Sequence, residues 1–335
     1  MFAGCLVLTY LLAHAYRAVA LRLLIFDKPN HRSAHQEQTP TGAGLSFILV
    51  FLAAFIFPDL ADTSSSDTFY DVLPALIAVA VVGFLDDYRP LPWPLRVGVH
   101  VLCCACVIWI TGYPHINLLG QDIDLGWLGS VLGVLGLLWL LNLYNFMDGI
   151  DGISTLEGVS VLAFAVAIAL YLGQDSIPQP VVVLLAACAG FLMINWPKAR
   201  VFMGDIGSGF LGLAFGVLIV TQTMLPLWSW LILLGWFITD ASVTITMRLF
   251  RGEKISEAHS QHLYQHLNRT VGTRRTLFYL VAINTCWLFP SAFAASIFQE
   301  FGVVLLGLAY LPMIIFQYYC GAGQPTPRFM AREAK

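Results

Sequence analysis

Five short stretches of this chain gather side chains that handle phosphate, metal or protons. The first ends an apolar run with two carboxylates, Phe84-Leu85-Asp86-Asp87. Ionised carboxylates beside hydrocarbon are costly and mark function. Two in sequence suit a hard divalent cation, or leave one of the pair as a base. A polar helix terminus is the plainer alternative. In the second stretch Asn142, Asn145, Asp148 and Asp151 recur every three residues, and Gly149 and Gly152 release the backbone for tight turns. This set fits a Mg²⁺–phosphate site, where the metal keeps waters and takes few carboxylates; an Asn/Asp-rich turn is the other reading. The third runs from Asn195 to Ser208. Pro197 stops one apolar run and Gly204 to Ser208 open the next, so the free N–H groups of a helix start form an anion site. Asp205 is then a simple N-cap or, beside a phosphate, a metal ligand.

The fourth stretch spaces His259, His262 and His266 at i, i+3 and i+7, which predicts three histidines on one helical face. No Cys accompanies them, and Arg248, Arg251, Lys254 and Arg269 surround them, so phosphate binding accounts for them better than zinc. The fifth joins Asp27 to His35, including Arg32, with Thr39-Pro40-Thr41-Gly42-Ala43-Gly44. Basic, hydroxyl and glycine groups there precede an apolar run. Asp240 stands alone inside another such run. It is a functional position by default, or a polar contact for the neighbouring Thr and Ser.

These groups must be held by apolar segments, because there is little else in the chain. Of its 335 residues, 58% are hydrophobic and 11% charged, against about 25% charged in an ordinary soluble domain. That excludes a soluble enzyme and a disordered chain. A net charge of −3 offers no basic face for nucleic acid. The apolar runs are continuous rather than alternating, which points to membrane helices and not a barrel. The seven cysteines lie mostly within these runs and read as small hydrophobes.

The expected fold is all-α, a single polytopic membrane domain over 1–335 with about eleven transmembrane helices, from Phe2–Ala20 to Phe301–Tyr319. The motif-bearing loops are 21–41, 86–96, 144–157, 196–206 and 247–276. All 17 Lys and Arg lie in or beside these loops or in the last residues, and the connections 58–71, 113–124, 173–180 and 298–300 have none. Positive charge stays in the cytoplasm. The expectation is therefore an outside N-terminus, a cytoplasmic C-terminus and one cytoplasmic site.

Taken together, the strings DKPNHRSAH with TPTGAG, FLDD, NLYNFMDGIDG, NWPKARVFMGDIGS and HSQHLYQHL resemble the polyprenyl-phosphate N-acetylhexosamine-1-phosphate transferases. The last string looks closest to the bacterial branch that initiates O-antigen and lipopolysaccharide, and departs from the His-triplet loop of the peptidoglycan enzyme. The resemblance implies a bacterial inner-membrane enzyme. It would move an N-acetylhexosamine 1-phosphate from a UDP-sugar to undecaprenyl phosphate and release UMP. It implies Mg²⁺ on Asp205, and Asp86 or Asp87 acting on the lipid phosphate. Asn195 and Asp151 would hold the nucleotide, with Phe202 stacked on uracil and Asn145 and Asp148 shaping the pocket. His259, His262 and His266 would touch phosphates or sugar, and Arg32 and Thr41 would join the substrate contacts. The implied partners are the nucleotide sugar, the lipid and the bilayer, with a homodimer open and nucleic acid excluded. A secondary transporter of an anionic solute is the reading from another class. Transporters place charge near the midplane and often show repeats, whereas here charge gathers at one face and no repeat is visible.

Overall fold

The computed structural model describes residues 1–27, 38–56, 67–254 and 259–326. These form a mostly helical, polytopic membrane protein. The helices are α1 (Phe2–Leu23), α2 (Leu45–Ile56), α3 (Asp67–Tyr88), α4 (Trp93–Thr111), α5 (Gly126–Met147), α6 (Ile153–Tyr171) and α7 (Gln179–Asn195). They continue as α8 (Gly204–Val220), α9 (Leu227–Leu233), α10 (Gly235–Phe250), α11 (Leu263–Val271), α12 (Thr273–Ile283), α13 (Phe289–Ile297) and α14 (Gly302–Cys320). Two small antiparallel pairs complete the fold, β1 (Phe26–Asp27) with β2 (Thr39–Pro40), and β3 (Ile116–Leu118) with β4 (Gln121–Ile123).

Each of the eleven apolar runs is helical, but they are not alike. Among the described residues seven helices are long and apolar enough to cross a membrane, one of them α12 continuing through a π-helical turn (Asn284–Leu288) into α13. One of the runs is broken: α9 and α10 meet at 73°. The apolar helices α2, α7 and α8 are shorter, with 12, 17 and 17 residues. Exposed apolar side chains cover the outside, Trp109 being 90% and Phe250 84% exposed, as a lipid-facing surface requires.

Helix α8 is the axis of the bundle. Every residue from Ile206 to Val220 is buried, the pattern of a helix surrounded on all sides. It packs on α3 and α5 and touches α2 and α4. Small residues permit this closeness. A Cβ on Gly212 would stand 2.7 Å from the Leu141 Cα, and one on Gly44 would stand 2.6 Å from the Gly207 Cα.

Hydrogen bonds tie the two ends of the bundle separately. One end joins Tyr16 to Thr41, Asp87 to Asp205, Asp151 to Ala199, and Tyr264 to Phe146. The other joins Gln222 to His115, Trp228 to Asn117, and Gln174 to Met224. All the motif loops in the described residues lie at the first end.

Candidate active site

Three helix ends meet to make the centre of the site. Helix α3 stops at Asp86-Asp87-Tyr88, α5 stops just before Asp148, and α8 starts at Gly204. The close approach of α3 to α8 needs Gly83, because a Cβ there would stand 2.5 Å from the Asp205 backbone. Gly204 takes φ +76°, a left-handed conformation suited to glycine.

The two adjacent aspartates part company. Asp87 accepts the N–H groups of Asp205 at 2.9 Å and Ile206 at 3.2 Å. The helix start expected to be free for an anion is thus capped by the chain's own carboxylate from 118 residues away. Asp86 accepts the Leu91 N–H at 2.6 Å and pairs with Arg96. The same Arg96 Nη1 donates to Asp205 Oδ2 at 3.1 Å, so one guanidinium bridges Asp86 and Asp205. Asn145 donates to Asp205 Oδ1 at 2.7 Å and to the Ser208 hydroxyl at 3.2 Å. Asp205 is thereby held at both oxygens, and it is not a simple N-cap of its own helix.

Asp148 completes the acidic set. It lies beyond the end of α5, and burial above all, then the charges of Asp205 and Asp151, push its carboxyl up to about 8. Crowded carboxylates of this kind call for a cation. Among the described residues no three His, Cys, Asp or Glu side chains converge to hold an ion unaided. A Mg²⁺-type ion does not need three, since it takes one or two carboxylates and completes its shell with phosphate and water. Asp205 and Asp148 fit that requirement.

Asp151 and Asn195 fasten the 196–203 loop. Asp151 Oδ2 accepts the Ala199 N–H at 2.9 Å. Asn195, 4% exposed, donates to the Val201 carbonyl at 2.9 Å and accepts from Thr155 at 3.1 Å. Both ends of its amide are engaged, so Asn195 fastens this loop to α6. Phe202 is half-buried, and its backbone pairs with Pro40 and Ala43, bringing the β2–α2 segment with buried Thr41 to the site. Arg32 lies outside the described residues.

The histidines do not share one helical face. Helix α11 begins only at Leu263, with His262 as its extended cap residue. His259 and His262 stack at 5.0 Å, and His262 lies 5.7 Å from the Tyr264 ring. Burial first, then the neighbouring His262 and Arg248, push His259 down to about 3, so it is neutral at physiological pH. His266 turns elsewhere. Its Nε2 meets the Gln324 carbonyl at 3.0 Å and its Nδ1 meets Arg269 at 2.6 Å. Both ring nitrogens are thus engaged within the chain, away from the His259–His262 pair.

Residues 70–223 match the family described as glycosyl transferase family 4. Over that stretch the chain is similar to glycosyl transferase family 4. It is 26% identical to a probable undecaprenyl-phosphate N-acetylglucosaminyl 1-phosphate transferase of Bacillus subtilis, over 75% of this chain and 72% of that one. It is 26% identical to the undecaprenyl-phosphate alpha-N-acetylglucosaminyl 1-phosphate transferase of Salmonella typhi, over 94% and 89%. A phospho-N-acetylmuramoyl-pentapeptide-transferase of Gloeothece citriformis is 28% identical over 67% of this chain and 64% of its own. The glycosyl transferase family 4 match takes in Asp86, Asp87, Asn145, Asp148, Asp151, Asn195, Phe202 and Asp205, and stops before the histidine loop.

Arg96, His100, Tyr264 and Asp240 also stand in or against this site. Arg96 and His100, one helical turn apart, line a small recess with Asn142, Asn145 and Asp205. That i, i+4 spacing beside the aspartate pair was the available signal. Asp240 binds the start of α11, which no local pattern could disclose.

Proposed function

We propose that this protein transfers an N-acetylhexosamine 1-phosphate from a UDP-sugar to undecaprenyl phosphate. One observation carries the reading. Asp86, Asp148 and Asp205 gather with Arg96 where three apolar helices end, in a chain similar to transferases of this acceptor. A lipid phosphate and a soluble nucleotide must meet at such a boundary. An oxygen of the lipid phosphate attacks the sugar-linked phosphorus of the UDP-sugar. The bond from that phosphorus to the bridging oxygen breaks, UMP leaves with the oxygen, and an undecaprenyl-diphosphate sugar forms. This would begin a cell-surface glycan such as O-antigen.

Mg²⁺ bound by Asp205 with Asp148 would screen the facing phosphates. Asn145 orients Asp205, and Asp87 fixes the helix that carries it. Asp86 positions the lipid phosphate or receives its proton, and Arg96 supplies compensating charge. Phe202 stacks on uracil above a loop fastened by Asp151 and Asn195. His259 and His262 offer uncharged hydrogen bonds to sugar or phosphate. Lys and Arg gathered with the acidic motifs at one end of the bundle favour group transfer over solute transport.

We further place the chain in the bacterial inner membrane with eleven crossings. The count includes the short α2, α7 and α8 and treats α9 with α10 as one bent span. The site faces the cytoplasm, the side on which Lys and Arg collect. Purified protein with Mg²⁺, undecaprenyl phosphate and each of UDP-GlcNAc, UDP-GalNAc, UDP-QuiNAc and UDP-FucNAc tests the reading. Release of UMP that depends on the lipid and on one of these sugars is expected. Absence of UMP across the panel overturns it.

A further inference from the structure

The histidine loop and the Asn145–Gly152 turn are more than a hundred residues apart in sequence, and two buried links join them. Asp240, with 0% exposure, lies within α10. Its carboxylate accepts the Leu263 N–H at 2.9 Å and the Tyr264 N–H at 3.0 Å, the first two residues of α11, and the Thr244 hydroxyl at 3.2 Å. It also stands 3.6 Å from His262 Nδ1. Tyr264, equally buried, then donates its hydroxyl to the Phe146 carbonyl at 2.9 Å. Phe146 is flanked by Asn145, and Asp148 follows two residues later. Gly149 leaves room for this hydroxyl, since a Cβ there would collide with it.

We propose that Asp240 and Tyr264 form a buried strut that sets the histidine loop against the end of α5, making both positioning residues for the transfer. This rests on the transferase reading above. Helix α11 has nine residues, too few to hold itself in place. Its first N–H groups have no partner within the helix, and a carboxylate at that end is also favoured by the helix dipole. The same carboxylate that starts α11 therefore fixes where His262 sits. The Tyr264 hydroxyl passes that position to the segment holding Asn145 and Asp148. Neither residue needs to touch a reacting atom, because misplacement by about 1 Å costs on the order of 100-fold in rate.

The test uses the purified full chain with Mg²⁺, undecaprenyl phosphate and the UDP-sugar that the wild type accepts. Tyr264→Phe removes one hydroxyl and keeps the ring. It should lower kcat about tenfold while the thermal midpoint stays near wild type. Asp240→Ala should lose more, and Asp240→Asn, which keeps an acceptor oxygen, should recover part of the loss. Because both positions serve one link, Asp240→Ala with Tyr264→Phe should be no slower than Asp240→Ala alone. Amide hydrogen exchange over 259–268 should accelerate in Asp240→Ala. Wild-type kcat in Tyr264→Phe, or losses that multiply in the double variant, overturns the strut. If the wild type releases no UMP from any UDP-N-acetylhexosamine, the transferase reading fails and exchange alone decides the link. Faster exchange at 263–264 in Asp240→Ala then upholds it, and unchanged exchange overturns it.

Discussion

Arg96 places a single positive charge between Asp86 and Asp205, and this defines what a substitution at Asp205 would do. Asparagine keeps the volume, and its carbonyl oxygen can still accept from Asn145 as Oδ1 does now. It loses the charge that a divalent ion and Arg96 both need. Asp205→Asn should therefore stay folded and release UMP at least about 100-fold more slowly; turnover near wild type removes Asp205 from the metal site. His259 permits a prediction in pH. Its folded pKa, about 3, lies below its unfolded value, roughly 6.5. Between those values the unfolded chain binds more protons, so stability is intact above about pH 6.5 and falls as pH drops below it. The thermal midpoint should fall from pH 7 to pH 5 by less in His259→Gln than in wild type. An equal fall in the two proteins shows that His259 is not the group responsible. The activity profile over the same range should carry no limb from His259.

Helix ends decide the site, and here the sequence is informative in some places and silent in others. The apolar runs mark where helices lie, because burial in lipid demands long uninterrupted hydrophobic stretches. Glycines and acids at run ends mark which ends matter. Local pattern does not say what fills the start of α8. Asp87 does, from 118 residues away, and only packing of α3 on α8 brings it there. Histidine spacing misleads for a related reason: α11 starts at Leu263 because Asp240, 23 residues earlier, accepts its first N–H groups. Asn195 reads as a ligand, and local pattern does not disclose that it also holds its own loop. These bonds also set the two aspartates apart. Asp87→Asn keeps one of the two acceptor oxygens that take the Asp205 and Ile206 N–H groups, so it should cost about 1 kcal/mol of stability as well as activity. Asp86→Asn alters contacts to Leu91, Arg96 and Asp205, none of which caps a helix start, and should lower turnover with a smaller effect on the thermal midpoint. Equal effects of the two substitutions on both measurements would remove this division of roles.

At the scale of the whole molecule, two independent distributions coincide. Lys and Arg occupy the motif loops and are absent from the intervening connections. Hydrogen bonds separately gather the same motif loops at one end of the bundle, and the β3–β4 hairpin with Gln222 and Trp228 at the other. Charge alone predicts orientation, and packing alone predicts which loops are neighbours; neither was derived from the other. If the motif end is cytoplasmic, the hairpin tip at Leu119-Gly120 faces outward and the turn at Gly252 after α10 faces inward. Both positions are exposed, so an epitope inserted at either should be tolerated. In spheroplasts with intact membranes, antibody should reach the tag at 119–120, and should reach the tag at 252 only after permeabilisation. A tag at 252 that is accessible in intact spheroplasts would reverse the protein in the membrane. It would also separate the site from a cytosolic nucleotide sugar, so the topology and the proposed reaction would fall together.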